Sequence, residues 1–264
     1  MDQLFTPAKL GTCELKNRIV RSATNGHLSD EKSQVTPLWA DTLIELAKNE
    51  VGFVITGHFC VDKMQRADAG QPALDETTDE SLLRRACDGV HRYGGKLFFQ
   101  LSHSGIKGVE SVNGAPPKHP EDFTREELDR LVEQFAFAAK NCKESGVDGV
   151  EVSGIDFNRR AGQKTPFYLD ALKAARTGIG IPLFPVGGVF SRGTVEVILA
   201  QGFPLVSMSR ALICEPDFAA KLKSGAQDVS KCLACNGCYT IYRKRFVRCV
   251  QHQDEIGQFK TIPW

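Results

Sequence analysis

Charge of one sign is nearly absent as a surplus: 33 lysines and arginines stand against 32 aspartates and glutamates, a formal net charge of +1. That balance removes the electrostatic case for nucleic acid or an acidic membrane surface as a partner. Long hydrophobic runs are lacking too. No segment reaches about 18 uninterrupted apolar residues, and the opening MDQLFTPAKLGT has no basic stretch leading into an apolar one. The expectation is a soluble, cytoplasmic protein. No Gly-x-Gly-x-x-Gly follows the first apolar run, which argues against a dinucleotide-binding sheet. Histidine is sparse, with six residues and none between His119 and His252. Nine cysteines without a secretion signal read as thiols or metal ligands rather than a disulfide framework.

What is present is a repeated strand-then-helix pattern in 264 residues, 42% of them hydrophobic, enough for the core of one α/β barrel. Two short apolar pieces around Pro7 and Gly11 suggest a hairpin before the core. Strands are expected at about 18–22, 51–57, 96–101, 147–153, 182–186 and 203–209. Between them, Thr36 caps a helix over 37–48 and Asp79 one over 80–93. Thr124 and Glu127 have capping-box spacing at the head of a helix carrying Leu128, Leu131, Phe135, Ala138 and Ala139 on one face. Further helices are expected over 166–177 and between Ser191 and Gly202. Alternation of this kind demands right-handed parallel crossovers, so the fold class is α/β, either a doubly wound sheet or a (β/α) barrel.

Chemistry concentrates in the stretch 182–217. One apolar run stops at Gly187-Gly188, where backbone without Cβ can approach an anion. The next stops at Ser209-Arg210, a hydroxyl followed by a planar cationic fork suited to phosphate oxygens. Strand, glycines, helix, strand, Ser-Arg is the layout of a phosphate site at the last strands of a barrel. Near the end, Cys232, Cys235 and Cys238, with Cys249 after ten residues, have a spacing that suits iron–sulfur or zinc. Cys13, Cys60, Cys87, Cys142 and Cys214 are scattered and read as packed thiols. His58 and His103 follow strands and face either the mouth or structural partners. Asp156, Arg159 and Arg160 follow the fourth strand and are candidates to enter the pocket. Arg243, Lys244, Arg245 and Arg248 form a basic run, read either as a patch for an acidic partner or as a solvated face.

LFTPAKLG with KNRIVRSAT, VITG, FFQLSHSG, FPVGGV and SMSRALICEPD, in this order, resemble the old yellow enzyme family of FMN-dependent oxidoreductases. Within it the chain is most similar to the branch that includes 2,4-dienoyl-CoA reductase and trimethylamine dehydrogenase. The resemblance implies a TIM-barrel-like fold with FMN at its C-terminal mouth, NAD(P)H as reductant and a small-molecule substrate as acceptor. By matching positions it implies that Ser22, Ala23 and Thr24 run along the flavin ring, Gly57 lies beneath it, Gln100 reaches its pyrimidine edge, and Gly187, Gly188, Ser209 and Arg210 cradle its phosphate. It also implies a [4Fe–4S] cluster on Cys232, Cys235, Cys238 and Cys249.

The pattern is interrupted. Lys143 to Val152 matches the family's approach to its fourth strand, but Ser153-Gly154 onward matches the sixth. Two βα units of about 30 residues each are missing, with the family's histidine pair and flavin-stabilising cation. The expected fold is therefore a barrel reduced to six strands, covering 1–221, with a Cys-rich segment over 222–264 packed on it. Such a barrel either closes more tightly or keeps an open edge that pairs with another subunit as a homo-oligomer. Besides an FMN-dependent oxidoreductase, the residues admit a flavin- or phosphate-binding protein or metal-cluster module without turnover. An aldolase- or isomerase-like barrel would need a base at a strand end, and none is evident.

Overall fold

A computed structural model describes residues 2–152, 161–166, 169–170, 173, 183–240 and 246–251. Local signals in the sequence set most of the elements. The hairpin of β1 (Ala8–Leu10) and β2 (Cys13–Leu15) turns at Gly11, whose φ of 60° is open to glycine without strain. Strand β3 (Ile19–Arg21) leads to helix α1 (Pro37–Lys48), then β4 (Phe53–Cys60), α2 (Ser81–Arg92) and β5 (Lys96–Ser102). Helix α3 (Arg125–Glu144) begins with both bonds of the Thr124–Glu127 capping box, worth about 1 kcal/mol. Strand β6 (Gly149–Val152), helix α4 (Arg192–Ala200), strand β7 (Val206–Met208) and the short helices α5 (Arg210–Cys214) and α6 (Phe218–Ser224) complete the order.

The five longer-range strands form one parallel sheet in the order β6-β5-β4-β3-β7. Val186 adds a single parallel bridge to Ser207, so the expected strand at 182–186 survives among the described residues only as that contact beyond β7. Its first residue lies outside the described residues, as does most of the expected helix over 166–177. Among the described residues no ladder joins β6 to the Val186 edge. Helices cover one face of the sheet, where Trp39, Phe59 and Phe99 meet with ring centroids 4.9 to 5.7 Å apart. No helix among the described residues is long and apolar enough to cross a membrane.

Helix α3 departs from its expected face. Ala138 and Cys142 are buried and Leu131, Phe135 and Ala139 pack at the core's margin, while Leu128 is 43% exposed. Its partners are β5 and β6, the last ladder described on that side.

Asp148, at the head of β6, ties this edge together. It accepts from Lys96 Nζ at 2.9 Å and Leu97 N at 2.9 Å, and lies 2.7 Å from His91 Nε2. Burial pushes its carboxyl up, but the Lys96 ammonium, the Leu97 N–H and His91 together hold it below the ordinary carboxylate range. A depressed folded value means that this stability is complete above about pH 4 and is lost as pH falls toward the folded value. Acid titration of unfolding free energy should therefore be shallower below pH 4 in Asp148→Asn than in the parent protein.

Candidate functional site

Period-two alternation sorts the strand residues between the two faces of the sheet. Val54, Phe59, Leu97, Phe99, Leu101, Val206 and Met208 belong to the core under the helices. Val20, Phe53, Ile55 and Leu205 belong to a separate cluster on the inner face, with Phe98 packed on it and Ala8 and Leu15 of the hairpin beneath. Gln100 lies between outward-facing Phe99 and Leu101, and Ser207 between Val206 and Met208, so both point inward. The inner face thus turns from apolar to polar toward the C-terminal strand ends.

A β-bulge reinforces that change. The pairing of β4 with β5 shifts between Ile55 and His58, and the Thr56 hydroxyl takes over a ladder bond by accepting from Gln100 N at 3.2 Å. The extra residue reverses the alternation, sending Phe59 outward to stack on Phe99 and His58 inward at the level of Gln100. His58 Nδ1 lies 2.8 Å from Gln71 Nε2 and 3.2 Å from Ser102 Oγ, and burial lowers its pKa. Nearby, Asp68 binds His27 Nε2 at 3.1 Å and Asn25 Nδ2 at 2.8 Å. His103 has a structural role: its Nδ1 accepts from Gly105 N and its ring meets Phe123 edge-on.

Ser22 donates to the Met208 carbonyl, Ala23 packs on the inner cluster, and Thr24 Oγ1 lies 3.1 Å from Ser209 Oγ. Together with Gln100 these residues stand at the C-terminal ends of β3, β5 and β7. Gly57 is required by a close approach, because a Cβ there would lie 2.6 Å from the Thr24 carbonyl oxygen and 2.8 Å from Asn25 Cα. Thr24 and Gly57 line a small recess of about 50 Å³, shared with Arg21, Trp39, Leu43 and Val247.

Gly187 and Gly188 both have positive φ, 94° and 78°. The space over Gly188 is filled by chain: a Cβ would lie 1.7 Å from the Thr165 carbonyl oxygen. Arg210 is 8% exposed, packs 5.3 Å from the Phe190 ring centroid, and donates through Nη1 to Ala234 O at 3.2 Å and Asn236 Oδ1 at 2.6 Å. Ser209 Oγ lies 3.3 Å from Tyr239 Oη. The Ser-Arg pair therefore joins the strand ends to the cysteine-rich segment.

In that segment Ala234 N donates to Cys232 Sγ and Gly237 N to Cys235 Sγ, each at 3.4 Å. Ala234 and Asn236 hold positive φ of 55° and 62°, the curl that turns these N–H groups toward sulfur. Cys232, Cys238 and Cys249 are buried and Cys235 is exposed. Burial pushes the Cys238 thiol up to about 11. Cys214, the last residue of α5, hydrogen-bonds to Cys232 and Cys249, raising its own pKa and lowering that of Cys232. Among the described residues no group of three or more His, Cys, Asp or Glu side chains is gathered to hold a metal ion.

Sequence reasoning singled out neither Arg21, whose Nη1 donates to Ser209 O, nor Tyr239 and Gln71. None carries a local signal, since each acquires its partner from a distant segment. Cys214 had one: it stands four residues after Arg210 on the same turn of helix. Asp156, Arg159, Arg160, Arg243, Lys244 and Arg245 lie outside the described residues.

Comparison with known proteins fits this arrangement. The chain is 27% identical to an NADH oxidase of Thermoanaerobacter brockii over 358 aligned positions, covering 93% of this chain and 55% of that relative. An alignment longer than the 264-residue chain means that the relative carries residues absent here, as the joined strand approaches indicated. Among solved structures it is similar to 2-naphthoyl-CoA reductase, with a TM-score of 0.83 at 17% identity over 94% of this chain and 56% of that one. It is also similar to the old yellow enzyme homologue of Zymomonas mobilis, with a TM-score of 0.70 at 15% identity over 86% and 94%. These two show the fold, a TIM-barrel-like α/β architecture. The chain spans 24%, 30% and 55% of the length of three curated relatives that it matches. The model of the NADH:flavin oxidoreductase / NADH oxidase family matches residues 3–157, more than half of the sequence, and the chain belongs to that family.

Proposed function

We propose that this chain binds FMN at the C-terminal ends of its parallel strands and acts there as an FMN-dependent oxidoreductase, with NAD(P)H as reductant and a small molecule as acceptor. The observation that carries this reading is the polar upper layer of the inner face: His58, Gln100, Ser102 and Ser207 above Phe53, Ile55, Phe98 and Leu205, beside the Thr24–Ser209 hydroxyl pair. The donor set fits a flavin. Ser207 Oγ is buried without a hydrogen-bond partner, a polar atom at these strand ends that a bound ligand would satisfy. Ser22, Ala23, Thr24, Gly57 and Gln100 would hold the ring, and Gly187, Gly188, Ser209 and Arg210 the phosphate end. When bound, FMN supplies two-electron chemistry, accepting hydride from the nicotinamide and passing reducing equivalents to the acceptor. Gln100 offers both donor and acceptor atoms to a ring edge.

Cys232, Cys235, Cys238 and Cys249 are proposed as ligands of a [4Fe–4S] cluster. The N–H donors aimed at Cys232 and Cys235 favour thiolates, although the side chains must draw together to meet one centre. Binding without turnover is the second reading, favoured by the chain segments that occupy the space over Gly57 and Gly188. Adding FMN to the purified protein should shift the flavin absorption bands, and NADH or NADPH under anaerobic conditions should then bleach them. Unshifted bands sink the oxidoreductase reading, and shifted bands that resist reduction leave the binding protein. Iron and acid-labile sulfide in equal amounts, with absorption near 400 nm, support the cluster, and zinc or metal-free thiols count against it.

A further inference from the structure

Arg21 is a buried cation without a carboxylate partner among the described residues. Alternation along β3 puts Ile19 on the helix-covered face, Val20 on the inner face and Arg21 back under the helices, where it is 9% exposed. Lys96, Lys221 and Arg192, less buried, each meet a carboxylate. Arg21 instead donates through Nη1 to Ser209 O at 3.1 Å, and its Nε and Nη2 take no acceptor among the described residues. Burial pulls its pKa down to about 10, which leaves it charged at neutral pH. A desolvated charge without a partner is unfavourable, and so is each N–H left without an acceptor. An anion would relieve both.

The space for one lies beside it. Arg21 lines the recess of about 50 Å³, together with Trp39, Leu43 and Leu46 of α1, Thr24 and Gly57 at the strand ends, and Val247. At roughly 10–15 Å³ for each water-sized position, that volume has room for about four non-hydrogen atoms. The hydroxyls in its wall are committed elsewhere: Thr42 Oγ1 donates to Leu38 O at 2.8 Å and Thr24 Oγ1 to Ser22 O at 3.0 Å. The positive charge of the recess therefore comes from Arg21, and the apolar wall strengthens any pair that it makes. Nε–H and one Nη2–H run parallel, the edge that meets both oxygens of a carboxylate, while Nη1 stays on Ser209 O.

We propose that this recess is a binding site for a small carboxylate, acetate in size, held at both oxygens by Nε and Nη2 of Arg21. The bound anion neutralises a charge that the fold leaves buried between β3 and α1. Of the residues proposed to hold FMN, the recess shares only Thr24 and Gly57, and its floor belongs to the helix-covered side of the sheet. The site therefore stands or falls apart from the flavin reading.

Thermal unfolding of the full chain, followed as sodium acetate replaces sodium chloride at fixed ionic strength, tests the site. Acetate should raise the Tm along a saturating curve, and at about ten times Kd the folded-to-unfolded ratio should rise about tenfold. Formate should act in the same way, whereas benzoate, too large for the recess, should not. Arg21→Met should abolish the acetate response. Arg21→Lys, which keeps the charge without the planar edge, should weaken acetate binding about tenfold, the worth of one charge-assisted hydrogen bond. A second measurement needs no folded Arg21→Met: the Arg21 Nε–H signal in 15N–1H spectra of the parent protein, assigned by its absence in Arg21→Lys, should shift along the same acetate curve. An Nε–H signal indifferent to acetate, a Tm that rises linearly without saturation, or an equal rise in parent and Arg21→Met overturns the site. A benzoate response equal to that of acetate overturns the recess as its place.

Discussion

Gly188→Ala is expected to lose about 3 kcal/mol or more of folding free energy, seen as a lower urea midpoint at unchanged slope. An alanine at φ +78° costs about 1–2 kcal/mol by itself, because Cβ crowds its own carbonyl. Its Cβ would also lie 1.7 Å from the Thr165 carbonyl oxygen, and backbone cannot swing aside as a side chain can. Gly193→Ala, in α4 with nothing within 4 Å of the added Cβ, is the matched control and should be neutral or slightly stabilising. A parent-like midpoint for Gly188→Ala would mean that the 161–166 segment does not cross over this glycine. The same variant separates two uses of the Gly-Gly pair. If its backbone N–H groups also meet the phosphate of FMN, flavin affinity falls along with stability, whereas riboflavin binding changes little.

Arg210→Met should cost roughly 3 kcal/mol, since two acceptors, Ala234 O and Asn236 Oδ1, lose their partner at about 1–3 kcal/mol each. Stacking of the guanidinium on Phe190 adds up to about 1 kcal/mol. The larger consequence is local. Arg210 holds the loop between Cys232 and Cys238, so alkylation of these buried thiols should accelerate at least tenfold in the variant. Arg210→Lys keeps the charge without the planar fork and should fall between the two. Thiol protection as strong in Arg210→Met as in the parent protein would remove Arg210 as the brace of that loop.

Much of the fold was legible from local patterns. Alternating apolar runs and helix caps placed α1, α2, α3 and α4 within a residue or two, because caps and amphipathic faces are properties of neighbouring residues. Leu128 shows the limit of that logic: its spacing is correct for a buried stripe, yet it is exposed, because helical spacing does not say what packs against the face. Motif order was sufficient for the family, since it tests many separated positions at once. The candidate site was legible as a set of residue types at strand ends, but the direction of each side chain was not.

The sequence by itself therefore determined the parallel α/β order and the family, both of which are read along the chain. Only the tertiary structure decided that Arg210 turns to the cysteine loop, that Thr165 covers Gly188, and that a one-residue bulge aims His58 inward. Each of these depends on which distant backbone fills a given space, and that is settled by packing and hydrogen-bond satisfaction across the whole molecule.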